Sequence, residues 1–225
     1  MKRFFTKNTL LIGIFSFGTW HSFGQGFVNL NFEQAVIVPD ATSPYYPNAV
    51  YASSAIPGWT ATGFIGPTDI LYNSASLGST SVSILGVNGN PPALDGNYSI
   101  YLYGGDAPPT ASASISQTAV VPVSAESIFF KAQGGGGTLL VSLGGQNISF
   151  SALSTGANYT EYGANLPAGL AGQSETLMFS ALAGEIFWNI DDIQFSPSTV
   201  PEPATWALLF CGAGLFGVML QWRKR

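Results

Sequence analysis

The sequence is short of the two side chains on which many enzyme sites depend. It contains one histidine, His21, and one cysteine, Cys211, each near an end of the chain. Residues 25–199 therefore cannot form a Ser-His-Asp triad, a Cys-His pair or an ordinary zinc site. A disulfide within this stretch is excluded as well.

Charged residues are also scarce, at 8% of the chain, and cations are almost absent from its middle. Six of the seven basic residues flank the two ends, so Lys131 is the one basic residue between residues 25 and 199. Eleven acids accompany it there, a formal charge of −10 for this stretch against −5 for the whole chain. They are Glu33, Asp40, Asp69, Asp95, Asp106, Glu126, Glu161, Glu175, Glu185, Asp191 and Asp192. Such a surface repels phosphate backbones, which argues against a nucleic-acid partner, and it can attract cations.

The N-terminus has the organisation of a secretory signal. Basic residues precede a short apolar core at 10–17, and the small residues of Ser22-Phe23-Gly24 follow it. We predict a signal peptide over residues 1–24 that is removed after Gly24. An uncleaved N-terminal anchor is the alternative.

The last residues combine a stiff polar tetrapeptide, an uncharged run and a basic tail. The tetrapeptide is Val200, Pro201, Glu202 and Pro203, and the tail is Arg223, Lys224 and Arg225. The prolines fix φ and oppose helix formation, so the tetrapeptide should stay extended. Residues 204–222 between them carry no charge, and at about 1.5 Å per residue a helix over them just crosses a bilayer core of roughly 30 Å. A basic tail favours a cytoplasmic C-terminus, which leaves the tetrapeptide outside.

This ending resembles the PEP-CTERM sorting signal of Gram-negative bacteria that produce exopolysaccharide. In that family, a membrane protease-transpeptidase called exosortase recognises the Pro-Glu-Pro motif, the helix and the tail. The resemblance implies processing by signal peptidase and exosortase, a precursor inserted in the inner membrane, and a mature form at the cell surface or in the extracellular matrix. A plain membrane anchor that is never removed is the alternative.

The middle of the chain alternates short apolar runs with turn residues, a pattern typical of all-β proteins. About eleven strands are predicted. They are 28–32, 70–72, 81–85, 98–103, 113–121, 127–133, 138–143, 148–153, 159–166, 175–181 and 186–195. Residues 39–55 are interpreted as an irregular loop. We predict one β-sandwich, a jelly roll, over residues 25–199, since this length suffices for a single core.

Several short motifs occur in an order that resembles the galactose-binding-like jelly rolls, the fold of many carbohydrate-binding modules. They are Asn31-Phe32-Glu33, Pro57-Gly58-Trp59, Gly96-Asn97-Tyr98-Ser99, Ile115-Ser116-Gln117, Ile128-Phe129-Phe130-Lys131-Ala132 and Ile190-Asp191-Asp192-Ile193. The resemblance implies a structural calcium between the first and last strands, with Glu33 and Asp192 as the matching ligands. Carboxylates in an acidic secreted domain suit calcium better than a transition metal. The alternative is that Glu33 caps a turn and Asp192 accepts hydrogen bonds from backbone amides.

Glycosidase chemistry needs only two carboxylates, and Asp191, Asp192 and Glu185 could supply them. Adjacent residues of a strand point to opposite faces, however, so Asp191 and Asp192 are predicted not to act together. Tyrosines are candidates for sugar stacking; they are Tyr45, Tyr46, Tyr51, Tyr101 and Tyr103. We predict a secreted, non-catalytic protein that is structural or carbohydrate-associated, with no required cofactor and with extracellular polysaccharide as a candidate partner. The alternatives are a glycan hydrolase or lyase on the same fold and a permanently anchored surface protein.

Overall fold

The computed structural model describes residues 26–43, 48–74, 79–105, 112–184 and 187–200. The predicted signal peptide and residues 201–225 lie outside these ranges. Within the ranges, no helix is long and apolar enough to cross a membrane. The predicted helix 204–222 falls outside them.

The regular secondary structure of the described residues is almost entirely β-strand, as predicted. In chain order the elements are β1 (Ala49–Tyr51), α1 (Ala52–Ala55), β2 (Thr60–Thr62), β3 (Asp69–Tyr72), β4 (Ser81–Gly86), β5 (Tyr98–Tyr103), β6 (Ser112–Val120), β7 (Ser127–Gly134), β8 (Leu139–Leu143), β9 (Gln146–Asn147), β10 (Ser151–Thr155), β11 (Thr160–Asn165), β12 (Ser174–Leu182) and β13 (Phe187–Ser196).

These strands form two sheets that pack face to face as a β-sandwich. The large sheet has the order β1-β3-β4-β5-β13-β7-β11-β10, and the small sheet has the order β2-β6-β12-β8-β9. The pair β3–β4 is parallel. The last strand, β13, lies in the middle of the large sheet between β5 and β7. This position brings the C-terminal end of the described chain beside residues from the middle of the sequence.

Alternating apolar side chains of both sheets fill the space between them. Phe130 of β7 is central: its ring lies 5.2 Å from Phe179 of β12 and 5.6 Å from Tyr162 of β11. Aromatic pairs at such distances add to the free energy gained by burying their area. The alternating apolar residues that predicted the strands are therefore also the residues that pack between the two sheets.

Two local predictions were wrong. The predicted strand 28–32 is a turn, because Asn29 and Phe32 adopt φ angles of 51° and 57°. The Asn29 side chain stabilises that turn by accepting a hydrogen bond from the Gln34 amide at 3.0 Å. The predicted loop 39–55 contains β1 and α1, whose short edge elements carry too little alternation to be recognised.

The outer face of the large sheet is covered in its centre. Ser99 and Asn189 lie on this face, yet both are fully buried. Ser99 Oγ donates to Asn189 Oδ1 at 2.7 Å, and Asn189 Nδ2 donates to the Pro92 carbonyl at 3.3 Å. The connection before β5 is thereby held over β13, which brings Asp95 and Gly96 close to the middle of that strand.

Candidate functional site

A cluster of carboxylates forms where three distant segments meet. The turn before Gln34, the turn before β5 and the middle of β13 enclose a cavity of about 170 Å³. Its walls are Asn31, Glu33, Asp95, Gly96, Asp191 and Asp192. The structure thus brings together the two predicted calcium ligands, Glu33 and Asp192. It adds Asp95 and Asp191, which the resemblance did not indicate as ligands.

Glu33 fastens the first turn to the start of β5. Its Oε1 accepts hydrogen bonds from the Asn97 and Tyr98 amides at 2.7 and 3.0 Å, and Oε2 accepts one from Asn97 Nδ2 at 2.8 Å. Gly96 makes this approach possible, because a Cβ on it would lie 2.4 Å from Glu33 Oε1. These contacts agree with the alternative interpretation, in which Glu33 caps a turn.

Lys131 neutralises part of the cluster. Its Nζ lies 2.5 Å from Asp95 Oδ2 and 3.0 Å from Asp192 Oδ2, and 5.1 Å from the centre of the Tyr159 ring. Burial alone would lower the pKa of Lys131, but hydrogen bonds and charges from Asp95 and Asp192 outweigh it and raise the pKa. The same contact lowers the pKa of Asp95, helped by the Gly96 amide. Lys131 therefore carries a positive charge at neutral pH.

Asp191 is the buried member, with 1% of its surface exposed. Its Oδ2 accepts a hydrogen bond from the Asp95 amide at 3.1 Å, and its Oδ1 accepts one from the Asp192 amide at 2.7 Å. Burial raises the pKa of Asp191 to about 7, although the two amides act in the opposite direction. Asp191, and not Asp192, is therefore the residue that accepts hydrogen bonds from backbone amides, the alternative role predicted for Asp192.

The prediction that Asp191 and Asp192 face opposite ways was wrong. The register between β13 and β7 shifts between Asp191 and Gln194, and Asp192 has a φ of 45°. A bulge with one residue in the left-handed region breaks the alternation of side chains. Both carboxylates therefore line the same cavity. Glu185 lies outside the described residues.

The chemistry of the cluster suits a hard cation, but its geometry is incomplete as a metal site. Carboxylate and amide oxygens are the ligands that calcium prefers. Most of these carboxylate oxygens, however, already accept hydrogen bonds or pair with Lys131. Among the described residues, no group of three or more His, Cys, Asp or Glu side chains is arranged to hold a metal ion. A calcium between Glu33 and Asp192 would need further oxygen ligands.

A second cavity, of about 270 Å³, opens near the start of β11. Polar uncharged side chains and two aromatic rings line it: Gln133, Thr155, Asn158, Tyr159, Thr160 and Tyr162. Of the tyrosines proposed for sugar stacking, the three that the structure describes, Tyr51, Tyr101 and Tyr103, do not line this cavity. Tyr101 is 5% exposed and stacks on Phe187 at 5.2 Å, so its ring is not available for a sugar. Tyr45 and Tyr46 lie outside the described residues.

The predicted sorting motif begins at a residue that packs against the sandwich. Val200 is buried, and both of its main-chain polar groups bond to the Asn165 side chain, at 2.6 and 3.1 Å. The remaining motif residues Pro201, Glu202 and Pro203 and the basic tail at 223–225 are outside the described ranges. Val200, the first residue of the predicted tetrapeptide, thus packs with the body.

Comparison with known proteins identifies the C-terminal segment. Residues 199–225 match the PEP-CTERM protein-sorting motif. No curated protein matches the chain in sequence. The predicted identity of this segment is confirmed.

Solved structures resemble the chain only distantly. An apo form cyclase from Fischerella sp. has a TM-score of 0.45 at 13% identity, covering 79% of this chain and 98% of that one. TmCBM61, solved in complex with beta-1,4-galactotriose, has a TM-score of 0.39 at 16% identity, covering 76% and 97%. The secreted serine protease VesC from Vibrio cholerae has a TM-score of 0.31 at 13% identity, covering 55% and 25%. At such scores, these likenesses support no conclusion about function.

The functional assignment thus comes from the motif. Residues 199–225 are a PEP-CTERM sorting motif, which implies that the protein is exported, is processed by exosortase and is sorted to the cell surface of a Gram-negative bacterium.

Proposed function

We propose that the protein is a non-catalytic, carbohydrate-associated component of the cell surface or extracellular matrix. The observation that carries this proposal is the direct succession of a β-sandwich and a sorting motif, joined at the buried Val200. The sandwich is then the exported domain, and the motif directs its sorting. The precursor is inserted in the inner membrane through residues 204–222 until exosortase acts.

The contacts of the acids favour a structural role over catalysis. Glu33 accepts hydrogen bonds from two backbone amides and from the Asn97 side chain, and Asp191 accepts two from backbone amides. Asp95 and Asp192 pair with Lys131. Groups held in this way stabilise turns but have few lone pairs free for a substrate. The sequence between residues 25 and 199 also has no histidine or cysteine to act instead.

The cavity near β11 is the best candidate for sugar contact. Amide and hydroxyl side chains such as Gln133, Asn158 and Thr155 can exchange hydrogen bonds with sugar hydroxyls, and the edges of Tyr159 and Tyr162 add apolar surface. The formal charge of −10 on residues 25–199 opposes binding of acidic polysaccharides. We therefore propose an uncharged glycan as the ligand.

We expect the full-length protein in detergent to bind uncharged oligosaccharides on a glycan array, and Gln133→Ala to weaken that binding up to about tenfold, as loss of one hydrogen bond to the ligand does. Thr118→Ala is the matched control, because Thr118 lies on β6 in the other sheet. Retention of only acidic glycans, or equal binding by both variants, would contradict the choice of cavity and ligand.

A glycan hydrolase or lyase is the second candidate, and Asp191 is the observation that favours it. The Asp191 carboxyl, with a pKa of about 7, shares a cavity with a second carboxyl, that of Asp192, and a carboxyl of raised pKa can act as a general acid. Release of reducing ends during incubation with a bound glycan, abolished in Asp191→Asn while the fold persists, would favour this enzyme over the non-catalytic protein.

We also propose that calcium binds between Glu33 and Asp192. At 10 mM calcium, the melting temperature of the full-length protein is expected to rise by about 5 °C relative to chelator, since extracellular sites bind at about 10⁻⁴ to 10⁻³ M. The double variant Glu33→Gln and Asp192→Asn should lose that rise, and Glu161→Gln should keep it. An identical melting temperature with and without chelator would count against the site.

A further inference from the structure

The chain leaves the sandwich along a defined path. After β13 ends at Ser196, residues 197–200 cross the end of β7 and reach β11. The register shows this crossing, because Ser127 of β7 is opposite both Ser196 and Asn165. Ser127 Oγ donates to the Ser198 carbonyl at 2.6 Å. The exit segment is therefore bonded to the body at its midpoint.

Asn165 then holds the first residue of the sorting tetrapeptide at two points. Its Oδ1 accepts a hydrogen bond from the Val200 amide at 2.6 Å, and its Nδ2 donates to the Val200 carbonyl at 3.1 Å. A side-chain amide in this arrangement imitates the peptide group of a neighbouring strand. Both polar groups of the Val200 main chain are thereby satisfied by one residue of the body.

The Val200 side chain is enclosed as well. It is 6% exposed and lies against Gly163 of β11, where an added Cβ would come within 3.0 Å of Val200 Cγ2. Glycine at this position thus leaves the room that the valine occupies. Main-chain bonds and side-chain burial together make Val200 part of the folded sandwich.

We propose that Asn165 is a positioning residue for the sorting reaction, which sets the limit between the folded body and the segment offered to the processing enzyme. This inference rests on the sorting function proposed above. Four Cα steps separate Val200 from Ala204, where the predicted helix begins, and they span at most about 14 Å. The contacts of Asn165 and Gly163 with Val200, which we call the clamp, therefore hold the sandwich close to the membrane surface until the precursor is processed.

The clamp also restricts which peptide bond can be cut. The carbonyl of the Val200–Pro201 bond accepts the hydrogen bond from Asn165 Nδ2, so this bond is covered together with those before it. We therefore expect cleavage no earlier than the next bond, Pro201–Glu202. Hydrolysis there consumes one water, which leaves a carboxylate on the fragment that keeps the sandwich and an amine on the fragment that keeps the helix. With an acceptor amine in place of water, the acyl group forms a new amide.

Hydrogen–deuterium exchange of the full-length precursor in detergent tests the clamp directly. The Val200 amide should exchange at least tenfold faster in Asn165→Ala than in the wild type. Asn165→Asp keeps an oxygen acceptor and should preserve most of the protection. Asn158→Ala is the matched control: Asn158 also makes one side-chain bond to a carbonyl, that of Leu94, at 3.1 Å. Equal exchange of the Val200 amide in Asn165→Ala and Asn158→Ala would overturn the proposal.

Mass spectrometry of the mature C-terminus in a host with exosortase tests the consequence. The wild-type product should retain Val200 and Pro201, and Asn165→Ala should yield additional termini before Val200, at a tenth or more of the product. A wild-type terminus at or before Val200, or unchanged termini in Asn165→Ala, would refute the positioning role and leave the sorting function intact. A mature wild-type protein that still ends at Arg225 would refute both.

Discussion

Replacing Lys131 with methionine is expected to lower the free energy of unfolding by about 3 kcal/mol at pH 7. Methionine keeps most of the length and apolar surface of the lysine and removes its charge. The lysine is the only cation between residues 25 and 199, so no second one can take its place. Asp95 and Asp192 would then face each other beside the buried Asp191 without a counter-ion.

The size of this effect follows from the exposure of the partners. Breaking a buried ion pair costs about 3–5 kcal/mol, because the remaining charge is left uncompensated. The side chains of Lys131 and Asp192 are 15% and 26% exposed, whereas that of Asp95 is 58% exposed and largely solvated. Water therefore screens part of the electrostatic interaction, and we expect a loss of unfolding free energy at the lower end of that range.

Urea unfolding in chelator measures the change in stability, with Lys131→Arg as the matched control that keeps a positive charge. Methionine at this position should cost less at pH 5 than at pH 7, because carboxylates deprived of their cation take up protons more readily. A methionine variant within 0.5 kcal/mol of the wild type would show that the pairs contribute little.

Stability is expected to fall as the pH rises from 5 to 8, which is the effect of Asp191. The pKa of this carboxyl is about 7 in the folded protein, above its ordinary value of 3.8. The folded state therefore binds the proton more tightly than the unfolded chain does. The resulting stabilisation is complete below about pH 3.8 and is lost as the pH rises through 7. The shift corresponds to roughly 4 kcal/mol at most, at about 1.4 kcal/mol per pH unit.

Other groups of the cluster limit this trend at low pH. The lowered pKa of Asp95 contributes stability above its ordinary range, and this contribution is lost as the pH falls. Glu33 and Asp192 complete the ionisable groups of the cavity, and Lys131 lies opposite Asp191 on β7. Together these effects predict maximal stability between about pH 4 and 6.

Unfolding free energies at pH 5 and pH 8, measured in chelator, test the slope. Asp191→Asn removes the ionisable group and should flatten the pH dependence, even if losing one amide acceptor lowers stability at both pH values. Glu161→Gln makes the same change from carboxylate to amide on β11 and should keep the slope. A wild-type protein that is equally stable at pH 5 and pH 8 would contradict the role of Asp191.

Much of the sandwich was predictable because its strands alternate. In β5, the strand predicted at 98–103 is the strand observed, since Ile100 and Leu102 face the core while polar and aromatic residues lie between them. Alternation is a local property that survives in any tertiary context. The turn at 28–32 escaped prediction for the converse reason: Asn29 and Phe32 have left-handed backbones that a simple apolar–polar pattern conceals.

The carboxylate cluster was predictable only in part. The resemblance pointed to Glu33 and Asp192, but Asp95 comes from a loop that Asn189 holds in place, and Asp191 joins through a bulge. The clamp on Val200 had no sequence signal at all. Asn165 is one exposed asparagine among many, and its role depends on where β13 ends relative to β11.

The sequence by itself determined what depends on local pattern and composition. Its alternation of apolar and polar residues predicted an all-β fold. The lack of histidine and cysteine between residues 25 and 199 excluded catalytic triads, Cys-His pairs and ordinary zinc sites. Its last residues carried a sorting motif that can be recognised from the linear sequence. The tertiary structure alone decided how those parts act on one another. It converted an acidic stretch into a cluster around a single lysine, and it drew Val200 into the body, because hydrogen bonds between residues 35 positions apart exist only once the strands have paired.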